Sequence, residues 1–178
     1  FDHPSFIKAF AKQGTSFCEN SPDHVLFSFH GLPERHLIRG DEENFGCLQK
    51  DDCCLSVVEG NRSCYRAHCF KTAALIASEL KLEAEQWSVS FQSRLGRAEW
   101  IKPYTETRIR ELARNGVRSL VVFCPSFVAD CLETLEEIQI EGKEIFLEEG
   151  GESLQMVPSL NASPDWIEGL AEMVRGKL

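Results

Sequence analysis

Three glutamates, Glu133, Glu137 and Glu141, recur every four residues within CPSFVADCLETLEEIQIE, residues 124–141. On an α-helix that spacing lines up their carboxylates, and each like-charge pair costs about a few tenths of a kcal/mol. The segment follows an apolar strand, Leu120 to Phe123, which ends at Cys124-Pro125-Ser126. In α/β proteins such strand ends carry ligand sites. Two readings of the row stand. Leu132, Leu135 and Ile138 define the other side of the wheel, which makes the glutamates a solvated face. Alternatively the row handles cations or protons, because Asp130 and Glu133 fall in the first helical turn, where the dipole favours carboxylates.

His30 is the second chemical group. It ends the buried-type strand HVLFSFH (24–30), and Gly31 and Pro33 impose a tight turn after it. A histidine there is either a satisfied capping residue or an imidazole able to take a proton or bind a divalent metal near pH 7. The stretch Gln92–Trp100 (QSRLGRAEW) is either a surface loop anchored by Trp100 or a basic, aromatic-edged rim for a flat anionic ligand. In the second reading Arg94 or Arg97 meets carboxylates and Trp100 lies against a ring.

The chain contains eight cysteines, and Cys47, Cys53, Cys54, Cys64 and Cys69 form a C-x5-C-C-x9-C-x4-C cluster. Without a secretory signal such clustering favours a metal or redox site over a disulfide scaffold. The absence of a C-x2-C knuckle weakens a zinc ribbon. Thiolate-held iron–sulfur clusters have less stereotyped spacing, so cluster, zinc and neither all remain open on spacing. Cys124 and Cys131 read as buried apolar residues.

The elements that must position these groups alternate. A helix is predicted over residues 4–12, strands over 24–30, 86–92, 118–124 and, more weakly, 154–158. Helices are predicted over 64–80, over 105–114 with Thr105 as N-cap and Gly116 as stop, over 129–147, and over 164–175 with Pro164 at N1. Residues 34–63 read as a long cysteine-rich loop, of the kind that is usually functional or metal-stapled. The order predicts an α/β fold, a three-layer α/β/α sandwich on a four-stranded parallel sheet with right-handed crossovers.

With 178 residues the chain accommodates one domain. Its net charge of −9 argues against non-specific nucleic-acid binding. No apolar run reaches the roughly 20 residues of a membrane span. No signal peptide is visible, which points to a cytoplasmic protein, and the start at Phe1 within a helical pattern reads as a fragment.

Four segments together, LFSFHGLPERH (26–36), SFQSRLGRAEWIKPYT (90–105), CPSFVADCLETLEEI (124–138) and SLNASPDWIE (159–168), closely resemble ferrochelatase. The resemblance runs in order over nearly the whole chain and corresponds to the C-terminal half of that enzyme, a chelatase-like (flavodoxin-like) half. It implies insertion of Fe²⁺ into protoporphyrin IX to form haem. Further implications are a partner N-terminal half supplying one wall of the porphyrin cleft, and peripheral contact with a membrane. By position, it makes His30 the residue that binds metal or accepts pyrrole protons, and Glu133, preceded by Asp130, the carboxylate facing it. Glu137 and Glu141 continue as a metal or proton path on a helix locally wider than an α-helix. Gln92, Ser93, Arg94, Trp100 and Phe127 match residues near the porphyrin. Cys131 departs from members that carry a second histidine. Residues 43–64 resemble the internal segment in which some bacterial members hold a [2Fe–2S] cluster, and Cys47, Cys53, Cys54 and Cys64 are the favoured ligands. Cobalt chelation, coproporphyrin as substrate and a non-catalytic metal- or tetrapyrrole-binding module are the competing readings.

Overall fold

A computed structural model of the chain describes residues 1–50 and 52–176. Four strands, β1 (His24–His30), β2 (Trp87–Gln92), β3 (Ser119–Phe123) and β4 (Ser153–Met156), form one all-parallel sheet in the order β2-β1-β3-β4. The chain leaves β1 toward β2, then returns past β1 to β3. With right-handed crossovers, that reversal places the two connecting helices on opposite faces and makes the end of β1 a topological switch point. His30 occupies that end, paired in register with Gln92.

Each face of the sheet has its own core, because alternate residues of fully buried strands point to opposite sides. Val25, Phe27, Phe29, Val89, Phe91 and Phe123 pack under α1 (Pro4–Cys18) and α3 (Tyr65–Glu79). Leu26, Leu120, Val122, Leu154 and Met156 pack under α4 (Thr105–Arg114) and the helical segment that ends near Glu148. Gly14 lets α1 sit close on the sheet: a Cβ there would lie 2.1 Å from the Phe123 ring. The three-layer α/β/α architecture expected from the alternation is present.

Three boundaries differ from the pattern. The first helix continues to Cys18. A short helix, α2 (Glu34–Arg39), occupies the start of what reads as loop. The acidic helix does not run unbroken from 129. Irregular backbone reaches Cys131, then α5 (Leu132–Leu135), a π-helical turn (Glu137–Gly142) and α6 (Lys143–Glu148) follow. The last helix, α7 (Pro164–Arg175), begins with Pro164 as expected. No helix among the described residues is long and apolar enough to cross a membrane.

The first residue of β1 gives a stability test. His24 is buried, its Nε2 2.8 Å from Ser88 Oγ. Burial, followed by the Arg108 charge, lowers its pKa from 6.5 to about 4. The unfolded chain therefore binds a proton that the folded chain refuses between these values. Stability is full above about pH 6.5 and falls as pH drops toward 4, by up to about 3 kcal/mol. Urea midpoints measured from pH 7 to 4 should fall less steeply in His24→Gln than in the wild type. Parallel pH profiles would remove His24 as the cause.

Candidate active site at the carboxyl edge of the sheet

The His30 turn is built by close backbone approach. Gly31 N–H donates to the Gln92 carbonyl at 2.8 Å. A Cβ on Gly31 would lie 2.9 Å from that oxygen and 3.1 Å from Trp100 Cε3, so only glycine fits. The His30 amide donates to Ser126 Oγ at 2.7 Å, and the His30 carbonyl accepts from Tyr65 Oη at 2.7 Å. His30 Nδ1 lies 2.6 Å from the Gly31 carbonyl. A carbonyl only accepts, so Nδ1 carries a proton, and Nε2 is the ring nitrogen that this contact leaves available. Trp100 and Phe127 stand beside the imidazole at centroid distances of 6.3 and 5.9 Å.

Glu133, in α5, is the carboxylate associated with this histidine. Its own backbone N–H, then the Cys131 thiol, and after a small opposing desolvation the His30 charge, hold its pKa below the usual value. Glu133 is thus an anion at neutral pH within electrostatic reach of the imidazole. An imidazole nitrogen and an ionised carboxylate at one sheet edge are groups that can accept a proton or share a divalent cation.

The other members of the glutamate row have different surroundings. Glu137 Oε1 accepts the Ser93 amide at 2.8 Å, and Oε2 accepts Ser93 Oγ and Gln92 Nε2, each at 3.2 Å. Ser93 holds φ at +63°, a left-handed conformation unusual for serine, which the contact with Glu137 accompanies. Glu137 therefore anchors the π-turn to the end of β2. Glu141 is exposed on the same turn. Widening the helix also changes the wheel: Ile138 is buried as expected, but Leu132 is 76 % and Leu135 44 % exposed. Thr134 is the buried side chain of α5, its Oγ1 bonded to the Cys131 backbone and to Asp130.

Asp130 is also committed. Its carboxylate accepts from Asn161 Nδ2 at 2.7 Å, Ser159 N at 3.1 Å and Thr134 Oγ1 at 3.2 Å. Desolvation acts to raise its pKa, but these bonds together win and lower it. These bonds tie the loop after β3 to the loop after β4.

The predicted rim of the flat ligand is rearranged in the same way. Gln92 is 2 % exposed, its side chain turned into the fold. Its Oε1 accepts from Ser28 Oγ at 2.6 Å and lies 3.6 Å from Cys124 Sγ, while Nε2 donates to the Glu133 carbonyl and to Glu137. Ser28 and Ser90 share the Thr105 hydroxyl, so Thr105 faces the core at the first turn of α4 instead of capping it. Arg94 is exposed over the Tyr104 ring at 4.5 Å. Trp100 is nearly buried and donates Nε1–H to the Leu95 carbonyl. Apolar surface at this edge comes from Leu95, 82 % exposed, and Val128, which the pattern did not single out, and from Leu132, which the wheel had placed on the side away from the glutamates. Only the widened helix brings Leu132 outward, whereas Leu95 in a polar loop had a readable signal.

The cysteines divide spatially. Cys47, Cys53, Cys54 and Cys64 line one cavity of about 300 Å³ between α2 and the start of α3. Cys53 and Cys54 sulfurs are 3.2 Å apart, and those of Cys54 and Cys64 3.7 Å. Cys69 lies in the main core, where burial raises its thiol pKa to about 12. Cys64 is the N-cap of α3, and contact with the Cys54 thiol, aided by the Ala67 and Arg66 amides, lowers its pKa to about 6. As they stand, no three His, Cys, Asp or Glu side chains among the described residues are grouped to hold a metal ion.

A ferrochelatase family model matches residues 1–178. The ferrochelatase of Ectopseudomonas mendocina (strain ymp) is 54 % identical over 171 residues, covering 96 % of this chain and 50 % of its own length. Those of Stutzerimonas stutzeri (strain A1501) and Pseudomonas fluorescens (strain Pf0-1) are each 50 % identical, covering 97 % of this chain and 51 % of their own. The chain spans about half the length of these curated relatives. Its motifs, its parallel sheet with His30 at the switch point and these matches agree: the chain belongs to the ferrochelatase family.

Proposed function

We propose that this chain supplies the metal-inserting face of a ferrochelatase, which places Fe²⁺ in protoporphyrin IX to form haem. The observation that carries the reading is the orientation of the His30 ring: with Nδ1–H bound to Gly31, Nε2 is available at the sheet edge near ionised Glu133. Insertion must remove two pyrrole protons and receive a partly desolvated cation. Nε2 serves as the proton acceptor or metal ligand, and Glu133 balances the positive charge. A mixed imidazole and carboxylate site holds Fe²⁺ loosely enough to release it, unlike thiolates. Glu137 and Gln92 hold that geometry, while exposed Glu141 supplies negative charge on the approach side. Leu95, Leu132 and Val128 provide apolar surface for the macrocycle, and the other half of the enzyme closes the cleft. An assay of the complete protein offering Fe²⁺ or Co²⁺ with protoporphyrin IX, coproporphyrin or an early tetrapyrrole tests this. Haem should be the dominant product; preference for Co²⁺ and an early tetrapyrrole would contradict it.

We also propose an iron–sulfur cluster on Cys47, Cys53, Cys54 and Cys64. In support, the four thiols share one cavity, and the Cys54 thiol, aided by the Ala67 and Arg66 amides at the start of α3, favours a thiolate at Cys64, while contact with Cys64 and burial hold Cys54 as a thiol until a metal displaces its proton. Bound there, a cluster supplies covalent staples and a one-electron couple. Protein purified without oxygen should be coloured and contain iron and acid-labile sulfide. Cys64→Ala should lose both and Cys69→Ala should keep them. Stoichiometric zinc without sulfide would sink the cluster reading.

A further inference from the structure

One side chain joins the cysteine-lined cavity to the His30 turn. Tyr65 is the first residue of α3 and follows Cys64 directly. Its hydroxyl donates to the His30 carbonyl at 2.7 Å. Burial pushes the phenol pKa up, so Tyr65 remains a proton donor at neutral pH, and the hydroxyl also lies by Cys69 and Ser126. Ser126 Oγ in turn accepts the His30 amide.

The His30 main chain is therefore gripped from two directions. Ser126 holds its N–H from the end of β3, and Tyr65 holds its C=O from the cysteine side. The ring is then aimed by the Gly31 carbonyl one residue on. Hydrogen bonds of this kind weaken steeply once geometry is lost. Any movement of the first turn of α3 must either carry the His30 carbonyl with it or break the bond. Cys64 caps that turn and lines the cavity, so rearrangement of the thiols acts on the turn directly.

We infer that Tyr65 is a positioning residue through which the state of the cysteine cavity sets the placement of His30. The inference rests on reading His30 as the working imidazole. It is distinct from a packing role, in which loss of the hydroxyl changes stability and leaves His30 where it is. Coupling of this kind requires an element whose position both sites bias, and the first turn of α3 meets that requirement.

A double-mutant cycle tests it. Wild type, Tyr65→Phe, Cys64→Ala and the double variant are prepared as complete proteins with isotope-labelled histidine, and the His30 ring resonances are compared. Tyr65→Phe keeps the ring and should preserve circular dichroism and the unfolding midpoint closely while shifting the His30 resonances. Cys64→Ala should shift them in the wild-type background and lose that effect when combined with Tyr65→Phe. Unmoved His30 resonances in Tyr65→Phe, or an equal Cys64→Ala effect in both backgrounds, would overturn the inference. Protoporphyrin IX fluorescence in the same samples reports separately on function: a wild type that binds no porphyrin removes the functional reading, and the resonances still decide the role of Tyr65.

Discussion

Replacing His30 with alanine in the complete enzyme is expected to reduce Fe²⁺ insertion by about 10²–10⁴-fold, the usual worth of a positioned acid–base group. Porphyrin binding should survive, because the substitution leaves the exposed apolar surface of Leu95 and Leu132 in place. The variant removes the ring whose Nδ1 is oriented by the Gly31 carbonyl and whose Nε2 is directed away from that contact. The backbone bonds of residue 30 to Ser126 and Tyr65 do not need the side chain, so the turn should persist. Porphyrin fluorescence and haem formation, measured on one preparation, separate the two effects. Insertion at the wild-type rate would show that His30 neither binds the metal nor accepts a proton.

The second large effect is expected at Gln92, whose side chain is turned into the fold. Gln92→Ala removes the Nε2 donor to the Glu133 carbonyl and to Glu137 and takes the Oε1 acceptor from Ser28, which keeps only its bond to Thr105, and it leaves a cavity beneath the site. Buried polar groups left without partners cost about 1–3 kcal/mol each, so a loss of roughly 3 kcal/mol is expected after partial rescue by solvent. Insertion should fall as well, because the α5 backbone that carries Glu133 loses its tie to β2. Gln92→Glu should not rescue either property, since it replaces the donor facing Glu137 with a second carboxylate. Urea unfolding and turnover measured together test this; an unchanged midpoint in Gln92→Ala would show that the buried network does not hold the site.

The sheet was legible because β1 and β3 are mostly apolar runs, β2 alternates apolar and polar residues, and alternation with helices leaves few topologies. His24 to His30 illustrates this, with its bounds read directly from the pattern. The placement of His30 at the carboxyl edge of the sheet followed from the same logic, whereas its place at the switch point depends on the strand order, which the pattern does not give. The acidic segment was less legible for a physical reason. Period analysis assumes 3.6 residues per turn, and the π-turn at Glu137–Gly142 breaks that assumption, so Leu132 and Leu135 emerge on the surface. Polar residues at the sheet edge also make bonds that composition does not reveal. Gln92 and Glu137 bond each other, and Asp130 bonds Thr134, Ser159 and Asn161. Sequence places a side chain at an edge without saying which way it faces. Tyr65 carried no pattern at all, since its contact with His30 spans 35 residues.

The glutamate row consequently separates into three roles: Glu133 near the imidazole, Glu137 as the anchor of the π-turn, and Glu141 in solvent. The measurement that bears most directly on this account is an anaerobic single-turnover assay of the complete enzyme with Fe²⁺ and protoporphyrin IX, following porphyrin fluorescence and haem absorbance together. Quenching on binding followed by stoichiometric haem formation is the predicted result. Porphyrin that binds and stays unmetallated in the presence of Fe²⁺ would contradict the assignment of this sheet edge as a metal-inserting face.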